Sequence, residues 1–183
     1  MERRELLKLM ALSLGGSIAL PESVFAQFAE PLDMGKLKFF SPAERALVAV
    51  VTETIIPETD TPGAITAGVP GWLELLVQDC LAAEDQTVIK KGLSRLELDC
   101  AGQFKKGFAE LPLEDRIRVL TKLEIEAKKA SDSKAFIRQF KELTKFTYVN
   151  SEAGGSKAFD FVLIPGRWDP AADLLPAQKA FSM

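Results

Sequence analysis

The sequence predicts an all-α protein: a single helical domain of about five helices with a long irregular C-terminal segment, preceded by a signal peptide. Three observations carry this reading. Apolar residues recur at three- and four-residue spacing in five successive segments, no segment alternates apolar and polar residues as a half-buried strand does, and residues 1–26 have the layout of an export signal. The expected organisation is a signal over 1–26, a linker over 27–40 and a helical domain over 41–183.

The signal is read from Arg3-Arg4-Glu5-Leu6-Leu7-Lys8, the apolar core Leu9 to Leu20, and Val24-Phe25-Ala26 ahead of a cut after Ala26. That core is too short to cross a bilayer, which takes about 20 apolar residues. Ser13, Gly15, Gly16 and Ser17 keep it only mildly apolar, as suits the twin-arginine route, in which the protein crosses already folded. Glu2 stands where Ser or Thr is usual, and Leu6 where Phe is usual. The competing reading is an ordinary amphipathic first helix. Export places the protein in the periplasm by way of the twin-arginine translocase, with Arg3 and Arg4 as the signal residues.

After the Pro- and Gly-containing linker, Ser41-Pro42-Ala43-Glu44 is a capping box with proline at the first helical position, so a helix starts at Pro42. Ala43, Leu47, Val50, Val51 and Thr54 mark its apolar face, and Pro57 stops it. The loop Pro57 to Ala64 opens a single turn at Pro62, capped by Asp60 or Thr61, and ends at Gly68-Val69-Pro70. A second helix is expected from about Gly71 to Ala83 on Leu73, Leu76, Val77 and Cys80. A third is expected from about Gln86 to Lys105 on Ile89, Leu93, Leu96, Cys100 and Phe104. Leu111-Pro112 breaks the chain; Leu113, Ile117, Leu120, Leu123 and Ala127 then mark a fourth helix. Ser131-Asp132-Ser133 caps a fifth, on Phe136, Phe140, Leu143 and Thr147. Beyond Asn150 lie Gly154-Gly155, a short piece around Phe159 to Leu163, and a fraying tail.

The net charge is −3, and the signal holds equal numbers of acidic and basic residues, so the mature domain keeps that value. No basic stripe remains to hold phosphates, which excludes a nucleic-acid partner. The apolar-rich stretches Ala46–Val51 and Trp72–Val77 are far too short to span a membrane, so membrane attachment would come through a partner. There is no histidine. The commonest general acid/base and the commonest transition-metal ligand are therefore missing, and with them Ser-His-Asp and Cys-His catalysis. No catalytic, cofactor-binding or metal residue is assigned.

Glu53, Glu58 and Asp60 could together hold a hard cation, but beside Thr and Pro they read better as turn and cap residues. Three arrangements stay open for Cys80 and Cys100: buried free thiols, an internal bridge, or a bond to another subunit. In a simple hairpin of the second and third helices the two lie on the order of 15 Å apart, against about 7 Å for a disulfide, and both sit on apolar faces. Phe146, Tyr148, Phe159, Phe161 and Trp168 concentrate aromatics where regular structure is scarce, as core plugs or interface anchors.

Several stretches resemble one family: Arg3 to Lys8; Thr54-Ile55-Ile56-Pro57-Glu58-Thr59-Asp60-Thr61-Pro62-Gly63-Ala64 followed by Ala67-Gly68-Val69-Pro70; Phe140 to Thr144; Ser151-Glu152; and Ile164-Pro165-Gly166-Arg167-Trp168-Asp169. The chain resembles gluconate 2-dehydrogenase subunit 3, the small subunit of membrane-associated flavin-dependent sugar dehydrogenases. The resemblance implies a non-catalytic partner of a larger flavoprotein of the glucose-methanol-choline type, which holds FAD and oxidises a sugar or polyol. It also implies a cytochrome c subunit as a frequent electron acceptor, and a small subunit that carries the export signal for both. Two stretches depart from the family's pattern. Pro170-Ala171 stands where Gly-Cys is common, and Thr147-Tyr148-Val149-Asn150 stands where Gly-Tyr-aromatic-Thr is common.

The leading expectation is thus an export escort and stabiliser of a catalytic FAD subunit, binding no cofactor itself. Its interface candidates are Pro57, Asp60, Pro62, Trp72, Phe146, Tyr148, Pro165, Arg167 and Trp168. The alternatives are a free-standing periplasmic helical binding or scaffold protein, and a helical enzyme using Glu53, Glu58 or Asp60 as an acid/base pair.

Overall fold

In the computed structural model, residues 37–132, 134–162, 166 and 178–182 are described. They fold into α1 (Pro42–Ile55), α2 (Val69–Cys80), α3 (Ala83–Phe104), a 3₁₀ turn (Phe108–Glu110), α4 (Leu113–Lys129), α5 (Phe136–Val149) and a short α6 (Glu152–Lys157). Asp160–Phe161 pairs in parallel with Phe181–Ser182, a two-residue contact in an otherwise helical domain.

α1 begins as its sequence dictates. Glu44 N–H donates to Ser41 Oγ (3.3 Å) and Ser41 N–H donates to Glu44 Oε2 (2.8 Å), with Pro42 in the first turn. The Ser41 N–H is the main reason the Glu44 carboxyl titrates below its ordinary value. The buried face differs from the expected one: Ala43 is exposed and Val50 half-buried, while Val48 and Thr52 are buried. Thr52 can go inside because its hydroxyl donates to Val48 O (2.9 Å) and Ala49 O (3.0 Å), so no polar group is left unpaired.

α5 is the hub and packs against α1, α2, α3, α4 and α6. Its Phe140 is fully buried, and Thr144 and Thr147 hide their hydroxyls on Phe140 O and Leu143 O (2.8 and 2.7 Å). The expected cap Ser131-Asp132-Ser133 is not the cap. Asp132 Oδ1 accepts the Lys134 N–H (2.9 Å) in a turn ahead of the helix, Ala135 is the N-cap residue, and Ser133 lies outside the described residues. α3 starts three residues before Gln86. The Gln86 amide closes the end of α2 by donating to Val77 O, Gln78 O and Leu81 O (2.9, 3.1 and 3.2 Å).

Two expectations about packing are corrected. Of the five apolar positions of α4, only Leu120 and Ala127 are buried; Leu123 is half-buried, and Leu113 and Ile117 are exposed because α4 touches the core along a narrow arc. Cys80 is exposed, since it ends α2 and Leu81, not Cys80, turns in against the core. Cys100 is buried as expected, and burial pushes its thiol pKa up. Both thiols are free.

Residues 37–40, inside the segment expected as linker, are docked on the domain by a buried carboxylate. Glu74, 1% exposed, accepts from Arg45 Nε (2.7 Å) and Nη2 (2.9 Å) and from the Phe40 N–H (3.0 Å). Arg45 also reaches Leu37 O, and Lys38 N–H donates to Gln78 Oε1 (2.9 Å). Burial pushes the Glu74 carboxyl up, but Arg45 and the Phe40 N–H together outweigh it and hold it below its ordinary value of 4.5. Its contribution to stability is therefore complete above the unfolded-state value and is lost as pH falls through the lower folded-state value. Glu74→Gln is expected to cost about 2 kcal/mol at neutral pH and to flatten the acid limb of the stability curve, as read from urea midpoints between neutral pH and pH 3.

Candidate partner-docking surface

The loop between α1 and α2 has backbone N–H groups that no helix or sheet satisfies, and one side chain of α1 supplies the acceptors. Glu53 Oε1 accepts the Glu58 N–H (3.0 Å) and Oε2 accepts the Ile65 N–H (2.8 Å). Ala64 N–H donates to Ile56 O (2.9 Å), and Thr66 Oγ1 donates to Glu58 Oε2 (2.6 Å). Gly63 is required by this arrangement: a Cβ there would lie 2.3 Å from Glu53 Oε1 and 2.7 Å from the Glu58 nitrogen. The expected capping by Asp60 or Thr61 is taken over by Glu53. The Thr59 hydroxyl donates to Asp60 Oδ1 (3.0 Å), and the helical turn begins at Ala64, not Pro62. All three carboxylates considered for metal or acid/base work thus accept hydrogen bonds within the loop. Among the described residues no group of three or more His, Cys, Asp or Glu side chains is placed to hold a metal ion.

A second brace comes from α5. Tyr148 donates its phenolic O–H to Pro62 O (2.6 Å), and its ring joins Ala64, Ala67 and Val69 in a small core separate from the main one. Tyr148 is therefore buried and holds the loop from beneath. At the next corner Ser151 caps α6, accepting the Gly154 N–H (2.9 Å) while donating to Tyr148 O (2.7 Å). A Cβ on Gly154 would come within 2.1 Å of that same carbonyl, so only glycine lets α6 fold back onto the end of α5.

Between the braced loop and this corner runs a groove of about 440 Å³, lined among others by Thr66, Gly68, Trp72, Asn150, Glu152 and Lys157. Trp72 forms an apolar wall and is 46% exposed. Ile65, beside Thr66, is 52% exposed, and Phe146, one helical turn before Asn150, is 58% exposed. A groove walled by a half-exposed tryptophan and lined by polar side chains is suited to binding a protein, with tryptophan the side chain best suited to anchor it, and the exposed Ile65 and Phe146 lie close in sequence to its lining residues.

Of the interface candidates, Trp72 lines this groove and is exposed, and Phe146 is exposed on α5 one turn before Asn150. Pro57 and Asp60 are exposed on the loop, and Pro62 is half-buried over Tyr148. Pro165, Arg167 and Trp168 lie outside the described residues, as do Arg3 and Arg4. Ile65 was not singled out in the sequence; its signal is an apolar residue inside a run of Thr, Gly and Ala. The Asn150 and Glu152 side chains add the polar groups of the groove.

Fold and surface together define a class: an all-helical domain carrying a rigidly braced, half-apolar groove. The family follows from comparison with known proteins. Residues 42–166, about two-thirds of the chain, match the model of gluconate 2-dehydrogenase subunit 3, and the chain belongs to that family of dehydrogenase accessory subunits. The matched span includes the whole loop, its two braces and the groove. No individual curated protein and no solved structure matches the chain.

Gly63→Ala forces Glu53 or the loop backbone aside and is expected to destabilise the domain by about 1–3 kcal/mol. Tyr148→Phe removes only the hydroxyl and leaves Pro62 O short of a partner, at about 1 kcal/mol. Both values are checked by urea denaturation, and both variants should speed hydrogen exchange at the Ile65 amide while amides of α3 keep their protection.

Proposed function

We propose that this protein is the accessory subunit of a periplasmic sugar or polyol dehydrogenase, binding the catalytic FAD-containing subunit of the glucose-methanol-choline type through the Trp72 groove. In this reading the chain supplies no catalytic group. It covers an apolar surface of the flavoprotein, and its Arg3-Arg4 signal carries the assembled pair through the twin-arginine translocase. A cytochrome c subunit receives the electrons, and any membrane association comes through these partners. The observation that carries the proposal is the family match over residues 42–166. The half-exposed Trp72 in the groove, with Ile65 and Phe146 also exposed, supports it physically, because exposed apolar side chains on a braced scaffold can bind without a large ordering penalty.

The test is co-purification of the tagged chain from its native periplasm. The expected eluate absorbs as a flavin and contains a second, larger protein; a colourless single species would rule the proposal out. Trp72→Ala combined with Phe146→Ala should weaken the complex by about tenfold to a hundredfold, measured by titration against the isolated flavoprotein. Arg3→Lys with Arg4→Lys should leave both proteins in the cytoplasm, measured by cell fractionation. Export of the flavoprotein without this chain would sink the escort role while leaving the docking role intact.

A further inference from the structure

The outer face of α4 has a symmetry of its own. Leu113, Ile117 and Ile125 are about half exposed although their spacing is that of a core stripe. Ile117 and Ile125 lie four residues, about one turn, on either side of the exposed Thr121, and Glu114 and Lys128 lie seven residues, about two turns, on either side. The face therefore reads Glu114, Ile117, Thr121, Ile125, Lys128. Reversed about Thr121, these five positions are apolar at the same places with their charges exchanged; Leu113, at the edge of the face, has Lys129 at its mirror position. Glu114 and Lys128 form no ion pair among the described residues, and neither do Lys122, Glu126 and Lys129, whereas Arg118 pairs with Asp115 (2.8 Å) and Glu124 with Lys141 (2.7 Å).

We propose that this face binds a second copy of the chain, the two α4 helices packing antiparallel about a two-fold axis near Thr121. A two-fold interface must be complementary to itself, and the reversal symmetry of this stripe meets that condition. In this register each Glu114 faces the Lys128 of the other copy, and Ile117 and Ile125 of both copies enclose the Thr121 pair. A parallel arrangement would set Glu114 against Glu114 and Lys128 against Lys128, which is repulsive. An unrelated partner places no such demand on the pattern. One helix pair buries less than a standard interface, so the dimer is weak and depends on concentration. The surface is separate from the Trp72 groove and does not depend on the reading of that groove.

The experiment is sedimentation velocity on the full chain carrying Cys80→Ser, which removes the exposed thiol. Dimer is expected to grow with concentration, Lys128→Glu to weaken self-association by about tenfold, and Glu114→Lys added to the same chain to restore it. Thr121→Cys should give a disulfide-linked dimer under mild oxidation, because the two-fold brings the paired residues within about 7 Å, and Trp72→Ala should leave the dimer intact. Unchanged circular-dichroism melting in each variant excludes misfolding. A monomer at every concentration, or a dimer indifferent to Lys128→Glu, overturns the proposal. So does a Lys128→Glu variant that loses the co-purifying flavoprotein but not its self-association, since another occupant would then hold the face.

Discussion

The α1–α2 loop must satisfy its own backbone without a ladder or a helix, and the Glu53 carboxylate is what makes that possible. An unpaired backbone N–H costs about as much as a lost hydrogen bond, and two of them end on this one side chain. Once Glu53 occupies the inside of the loop, Gly63 has no room for a Cβ. Pro62 then points its carbonyl at Tyr148, and Ala64 is buried against the same ring. The Pro-Gly-Ala run is thus the shape left around a carboxylate and a phenol. The groove inherits its rigidity from them, since Thr66, Gly68 and Trp72 follow directly.

A second constraint recurs through the interior: polar groups are buried only where a partner is within reach. Thr52, Thr144 and Thr147 return their hydroxyls to carbonyls three or four residues earlier, a local solution that any helix offers. Glu74 needs a tertiary one. It lies in an apolar-rich stretch of α2, and Arg45 of α1 together with the Phe40 N–H takes up its charge. Such a pair adds little net stability over an apolar equivalent, but it fixes which residues meet. Here it fixes the chain ahead of α1 onto α2 and seals Leu37 and Phe40 into the core.

The groove and the α4 stripe solve different problems. The groove sets Trp72 beside polar side chains, and its lining comes from the α1–α2 loop, the start of α2 and the corner between α5 and α6, which suits a shaped partner. The α4 face is a single convex helix surface whose specificity can come only from the order of charges along it. That contrast is why one reads as a site for a different protein and the other as a site for an identical one.

The elements themselves were legible because their causes are local. The capping box at Ser41, the stop at Pro57, the break at Leu111-Pro112 and the 3.6-residue periodicity each act within a few residues, and all five long helices lie within about three residues of where these signals put them. Where a cause is distant, the sequence misleads. Ser131-Asp132-Ser133 looks like a cap but closes a separate turn, Asp60 looks like the cap of the loop but Glu53 reaches it first, and Cys80 looks buried but ends its helix beyond the core. The sequence by itself determined the all-α class, the approximate place of each long helix and the motifs that mark the family. Tertiary structure alone decided which apolar faces are covered. Periodicity says that a face is apolar, whereas burial depends on whether other elements arrive to cover it, as those packed around α5 do for Phe140 and none among the described residues does for Ile117.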